Sequence, residues 1–205
     1  GKGSGAGAFL QKHSGIDKIA FTGSTEIGRE IAISAAEKII PATLELGGKS
    51  ANIIYADADF DLALDGVQMG ILFNQGQVCC AGSRIFVEEK IYDKFIAAAV
   101  EKFKNLKVGD PLDPKTQMGS QINAKQAAKI VEYINIGVKE GAKIAVGGKL
   151  AAAGDSFVEP TLLVDVSNDM RVAREEIFGP VGVVIKFKNE DELIKMVNDS
   201  EYGLG

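Results

Sequence analysis

Apolar and polar positions follow two alternating periods along the chain. Short apolar runs predict strands, and apolar residues spaced three or four apart predict helices. The predicted strands cover residues 19–21, 51–55, 84–87, 143–146, 157–166 and 181–187, and we expect the second of them to be buried. Helices separate most of these strands, and strands joined by helical crossovers pair in parallel. The pattern therefore predicts an α/β fold, with a largely parallel sheet covered by helices on both faces.

The predicted helices begin at residues that typically cap a helix N-terminus. Ser24 precedes the first helix, Asp57 or Asp59 the second, and Asn189 the last, which we expect to stop near Gly203. Gly141 is expected to end the helix before it. Apolar residues at helical spacing mark the three middle helices. The first of them carries Leu64, Val67 and Ile71. The second carries Tyr92, Phe95, Ile96, Ala99, Val100 and Phe103, and the third carries Ala127, Val131, Ile134 and Val138.

Composition and charge narrow the class of partner. The 205 residues are 46% hydrophobic and carry 23 basic and 28 acidic side chains, for a net charge of −5. No basic tract is present, which argues against nucleic acid or an anionic membrane as the main partner. No apolar run approaches the roughly 20 residues of a membrane span, and the N-terminus lacks a signal-peptide layout. The chain's two cysteines are adjacent and do not make a secreted disulfide scaffold, so we expect a reducing compartment, the cytoplasm or an organelle matrix.

The two cysteines, Cys79 and Cys80, are adjacent in a run rich in glycine and polar residues. A disulfide between neighbours is disfavoured, because their Cα atoms lie about 3.8 Å apart and bridges prefer roughly 4.4–6.8 Å. A metal site is disfavoured too, since the chain has one His and no second Cys pair. Two interpretations remain, a reactive thiol or two small residues packed there by coincidence. The glycine-rich surroundings favour the first.

Three further segments are candidates for binding or catalysis. Gly23 and Ser24 stand between a strand and a helix start, where free N–H groups suit a pyrophosphate, although a plain connection has the same composition. Glu45 lies between two leucines, so its carboxylate either points out of the strand or sits in a partly apolar pocket that would raise its pKa towards that of a general base. Glu176 and Phe178 precede Gly-Pro, and the ring offers a flat apolar wall.

Together these segments resemble the aldehyde dehydrogenase family. The family pattern for the catalytic base is Leu-Glu-Leu-Gly-Gly, found here at residues 44–48, and the nucleophile pattern Gly-Gln-x-Cys is found at residues 76–79. The cofactor patterns Phe-Thr-Gly-Ser-Thr-x-x-Gly and Glu-x-Phe-Gly-Pro are found at residues 21–28 and 176–180. Four motifs in the family's order form a far more specific signal than any one of them.

The resemblance implies oxidation of an aldehyde to a carboxylic acid with NAD or NADP. Cys79 would attack the aldehyde and pass through a thiohemiacetal to a thioester, and Glu45 would activate the water that hydrolyses it. Gly23 and Ser24 would lie near the cofactor pyrophosphate. Glu176 would bind the nicotinamide ribose and Phe178 would pack against that end of the cofactor. No metal is implied, and the parent enzyme is expected to be a homo-oligomer.

Family members are more than twice as long as this chain. The resemblance therefore implies a fragment, with residues 1–47 as the end of the cofactor-binding domain and residues 48–205 as most of the catalytic domain. The Asn that completes the family's oxyanion site and the Lys that binds the adenosine ribose would lie upstream. The choice between NAD and NADP and the identity of the aldehyde stay open, and we expect the isolated chain to be inactive.

Three other functions remain as alternatives. A thiol hydrolase or acyl transferase could use Cys79 and Glu45 without a redox cofactor, although Gly23, Ser24, Glu176 and Phe178 speak against it. A catalytically silent fragment is the second. The third is a reductive relative of the family, which takes acyl-phosphate or acyl-CoA substrates with the same thiol. Such relatives can dispense with a base at the position of Glu45, so the presence of Glu45 favours hydrolysis to the acid.

Overall fold

The computed structural model describes residues 1–205, and the chain divides into two compact units, Gly1–Gly47 and Gly48–Gly205. The assignment of these units to a cofactor domain and a catalytic domain stays a prediction.

The first unit is a strand–helix–strand arrangement with a short helical segment before it. Its elements are a π-helical turn at Gly3–Gly7, α1 (Ala8–Lys12), β1 (Ile19–Thr22), α2 (Thr25–Lys38) and β2 (Ala42–Glu45). The two strands pair in parallel, with Thr22 opposite Glu45. The Ser24 hydroxyl accepts a hydrogen bond from the Ile27 N–H at 3.4 Å, which confirms Ser24 as the N-cap of α2. The sequence pattern did not predict α1.

The second unit is built on a five-stranded sheet. Its elements are β3 (Ala51–Ile54), α3 (Phe60–Leu72), β4 (Arg84–Glu88), α4 (Tyr92–Lys104), α5 (Ala124–Glu140), β5 (Lys143–Val146), β6 (Thr161–Val164), α6 (Arg171–Arg174), β7 (Val181–Phe187) and α7 (Glu190–Asn198). The strand order is β3-β4-β7-β6-β5, and only the β5–β6 pair is antiparallel. The predicted α/β class with a largely parallel sheet is confirmed.

Apolar side chains pack on both faces of this sheet, because successive residues of a strand point to opposite sides. On β4, Phe86 belongs to one core cluster, whereas Ile85 and Val87 belong to the other. The first cluster includes side chains of α5, and the second includes side chains of α3 and α4. The sheet is thereby fixed between two layers of helix.

Two predicted strands differ from those observed. Strand β3 is not buried throughout, since it lies at the sheet edge and Ile53 is 42% exposed. Strand β6 covers Thr161–Val164 instead of residues 157–166. It begins after Pro160, which has no N–H to donate to the sheet ladder, and ends before Asp165, whose φ of 56° is not an extended conformation.

The predicted helices are correct in place but differ in detail. Helix α7 ends at Asn198 and not near Gly203, and the Arg84 guanidinium donates to the Met196 and Val197 carbonyls of its last turn at 3.2 and 2.9 Å. Helix α5 ends at Gly141 as predicted, with φ at 113°. Its buried face includes Ile130 and Gly137 in place of Val131 and Val138. None of the helices is long and apolar enough to cross a membrane.

Candidate active site

The segment before the two cysteines has an unusual backbone. Asn74, Gln75 and Gly76 all have positive φ, at 47°, 57° and 69°, within a 3₁₀ turn that follows α3. Left-handed conformations cost a non-glycine residue free energy and persist where the surroundings enforce them. Beyond the turn, Cys79 is half-buried and Cys80 is exposed, and both thiols are free. The turn therefore sets the direction in which the chain enters the cysteine pair.

The turn packs against the segment that carries Phe178. A methyl group at Gly76 would overlap the Gly179 carbonyl and would lie 2.7 Å from the Pro180 nitrogen, so only glycine permits this approach. Phe178 also has positive φ, at 58°, and the residue is 37% exposed. The Gln126 side-chain amide donates to the Phe178 carbonyl at 2.9 Å. Two of the candidate segments are thus held together through their backbones.

A third segment, residues 48–50, contacts both of the others. The Gly48 N–H donates to Glu176 Oε1 at 3.2 Å. A Cβ at Gly48 would overlap the Cys79 carbonyl oxygen, so the two backbones are in close contact. In this unit the structure brings Cys79, Glu176 and Phe178 into one neighbourhood.

Gly23, Ser24 and Glu45 form a separate set in the first unit. The Gly23 N–H donates to the Glu45 carbonyl at 3.0 Å, because β1 and β2 end side by side. The Glu45 side chain is exposed, as expected for a carboxylate that points out of an alternating strand. The partly apolar pocket considered as the alternative is not seen around it.

Lys49 is a buried charge that the sequence patterns did not reveal. Its side chain is 2% exposed and its Nζ has no hydrogen-bond partner. Burial, together with repulsion from Arg84, lowers the pKa of Lys49 to about 7, and Glu176 and Glu175 oppose that change. A lysine within a Gly-Gly-Lys-Ser run carries no signal that separates a buried side chain from a solvated one.

The two adjacent glutamates have opposite environments. Burial raises the pKa of Glu176, against the effects of the Gly48 N–H, Lys129 and Lys49. The Arg171 guanidinium lowers the pKa of Glu175, with bonds of 2.6 and 3.0 Å to its two oxygens. The Tyr133 hydroxyl donates to Glu175 at 2.7 Å. Glu175 is therefore fully engaged with protein groups, and Glu176 keeps an oxygen that no protein donor occupies.

The motifs and their order point to one family, and the sequence matches the aldehyde dehydrogenase family model over residues 1–205. The chain belongs to the aldehyde dehydrogenase family. It is 53% identical to retinal dehydrogenase 2 of Homo sapiens over 205 residues, which is 100% of this chain and 40% of that protein.

Solved aldehyde dehydrogenase structures share the fold. An NAD⁺ complex of the enzyme from Bacillus cereus superposes with a TM-score of 0.96 at 47% identity, covering 99% of this chain and 41% of that one. Betaine aldehyde dehydrogenase from Staphylococcus aureus in complex with NAD⁺ gives a TM-score of 0.96 at 43% identity, with coverages of 99% and 41%. The chain spans about 40% of the curated relatives it matches. No group of three or more His, Cys, Asp or Glu side chains is arranged to hold a metal ion.

Proposed function

We propose that the full-length protein oxidises an aldehyde to a carboxylic acid with NAD or NADP, and that Cys79 is the nucleophile. The observation that carries the proposal is the convergence of the Cys79 loop, the Gly48 backbone and the 176–180 segment within one unit. Membership of the family supports the reaction class.

In this proposal the Cys79 thiolate attacks the aldehyde carbonyl carbon, forming a C–S bond and an oxyanion that the Cys79 backbone N–H stabilises. Loss of hydride from that carbon leaves a thioester on Cys79. Glu45 takes a proton from water as the water attacks the thioester, the C–S bond breaks, and the acid and thiolate are released. The free, half-buried thiol of Cys79 and the exposed carboxylate of Glu45 are compatible with these roles.

The residues present fit a nicotinamide dinucleotide. When bound, the cofactor supplies the hydride acceptor. The first turn of α2, capped by Ser24, presents N–H groups with no acceptor within the helix, which suits a pyrophosphate. Beside it, the first unit has a largely apolar groove of about 700 Å³ that includes Ile19, Phe21 and Ile27. In the second unit Glu176 offers a carboxylate oxygen for ribose hydroxyls, and Phe178 offers a partly exposed ring.

The partners follow from the family and stay general. The NAD⁺ complexes of the Bacillus cereus and Staphylococcus aureus relatives favour NAD as the first cofactor to test. Relatives named for retinal and for betaine aldehyde differ in substrate, so the proposal stops at an aldehyde. A homo-oligomer in the cytoplasm or an organelle matrix is part of the proposal, without nucleic acid or membrane as partner.

The test compares Cys79→Ala with Cys80→Ala in the full-length protein. Cys79→Ala should abolish aldehyde-dependent NADH formation, whereas Cys80→Ala should retain it, because only one thiol forms the thioester. Iodoacetamide labelling located by mass spectrometry should find Cys79 modified faster than Cys80. Near-normal turnover by Cys79→Ala would overturn the assignment.

A further inference from the structure

The Lys49 ammonium is the most costly unexplained group in the second unit. It is buried, it has three N–H donors, and none of them meets an acceptor. An unpaired buried charge is expensive, and a methionine of similar volume would fill the same space without that cost. A lysine at this position therefore calls for a function that its charge serves.

Three charged groups act on the ammonium. Arg84, on β4, repels it and donates Nε–H to the Lys49 carbonyl at 2.8 Å. Glu176 and Glu175 attract it, and Glu175 is already paired with Arg171. Glu176 is the carboxylate without a cationic hydrogen-bond partner, and its one protein donor is the N–H of Gly48, the residue next to Lys49.

We propose that Lys49 is a positioning residue that acts through Glu176. Its buried positive charge adds to the Gly48 N–H in keeping the Glu176 side chain ionised and in place, so that the free oxygen accepts hydrogen bonds from the ribose at the nicotinamide end of the cofactor. This inference rests on the proposed function, because it assumes that Glu176 meets the cofactor.

The physical reason is the effect of burial on a carboxyl group. Burial favours the neutral form of Glu176, and a protonated carboxyl loses acceptor capacity. The Gly48 N–H and Lys129, on α5, favour the ionised form more strongly than Lys49 does. The charge of Lys129 is exposed and therefore screened by salt, whereas the charge of Lys49 is buried. Tyr202 faces Glu176 as well and stays neutral, since burial raises its pKa.

The charge on Lys49 itself depends on pH, so the effect of removing the lysine should depend on pH as well. Because the pKa of Lys49 is about 7, the ammonium is present below that pH and lost above it. Removing the lysine should therefore weaken cofactor binding in acid and leave it unchanged in alkali. Removal of the lysine raises the pKa of Glu176, so that less of the carboxylate is ionised in acid and the dissociation constant rises there.

The experiment measures NADH binding by fluorescence titration between about pH 5.5 and pH 9 in the full-length protein. Lys49→Met is compared with the wild type and with Lys186→Met, which removes an exposed lysine on β7. We expect Lys49→Met to bind up to about tenfold more weakly at the acidic end and equally well at the alkaline end. Lys186→Met should follow the wild type throughout.

A double-mutant cycle identifies Glu176 as the intermediary. Adding Lys49→Met to Glu176→Gln should cause no further loss, because the glutamine does not titrate. Lys49→Gln, neutral but polar, repeats the comparison if the methionine variant fails to fold.

The outcomes separate this inference from the proposed function. If the wild type binds no NADH and oxidises no aldehyde, the proposed function fails. If the wild type binds but Lys49→Met matches it at every pH, the role of Lys49 is overturned. A loss of NADH affinity in Lys49→Met that is equal at all pH values, or that persists in the Glu176→Gln background, would also overturn it. A general structural defect would weaken binding in this way, independently of pH and of Glu176.

Discussion

Replacing Lys49 by methionine should make the protein more stable, even though we assign the lysine a role in cofactor binding. The pKa of Lys49 falls from 10.5 to about 7 in the folded chain. A pKa difference of 1 between the folded and unfolded chains corresponds to about 1.4 kcal/mol, so burial of the ammonium costs roughly 5 kcal/mol at a pH below both values. This figure is an upper bound, and replacement of buried ion pairs by apolar residues gives about 1–4 kcal/mol.

The sign of the pH dependence follows from proton binding. Between pH about 7 and 10.5 the unfolded chain holds a proton on Lys49 that the folded chain lacks. The wild type therefore gains stability as pH rises through this window, and the methionine variant does not show this gain. The advantage of Lys49→Met is largest below pH 7 and declines as pH approaches 10.5.

Urea unfolding of the full-length protein, followed by circular dichroism at about pH 6.5 and pH 9, measures the stability gained by Lys49→Met. Between these two pH values the upper bound on the cost of burying the Lys49 ammonium falls from roughly 5 to roughly 2 kcal/mol. Lys186→Met serves as the control and should change the free energy of unfolding by no more than about 1 kcal/mol at either pH, because its side chain is exposed and its ammonium contacts only the Tyr92 ring, at 4.6 Å. A Lys49→Met protein that is less stable than the wild type, or equally stabilised at both pH values, would refute the reasoning.

Three further predictions, which use four substitutions, test the site and the fold. Gly76→Ala should lower the free energy of unfolding by about 3 kcal/mol, because alanine is strained at a left-handed φ and its methyl group overlaps the Gly179 carbonyl. Gly66→Ala, in the open middle of α3, should raise it by up to about 1 kcal/mol. Similar thermal midpoints for the two variants would contradict the packing around Gly76. Asp59→Ala should cost about 1 kcal/mol in urea unfolding through loss of the α3 cap, and an unchanged midpoint would argue against that cap. Glu45→Gln should slow thioester hydrolysis more than hydride transfer, so rapid mixing should still show a burst of NADH, and loss of the burst would count against Glu45 as the deacylation base.

Much of the fold was predictable from local patterns. The period of apolar residues gave the five longer helices and most strands, because burial of one face imposes that period on the sequence. Ser24, Gly141 and Asn189 were identified correctly as caps, since capping is a contact between residues close in the chain. Strand ends and the buried face of α5 were less accurate, because they depend on which neighbours the element packs against.

The sequence by itself also determined the family, since four motifs in order name the chemistry without any coordinates. Only the tertiary structure decided how Gly48, Cys79, Glu176 and Gly179 approach one another, because those contacts join residues distant in the chain. It alone revealed that Lys49 is buried without a partner. Burial and charge environment are properties of the packed chain, so a lysine's letter in the sequence cannot indicate the pKa that the fold imposes on it.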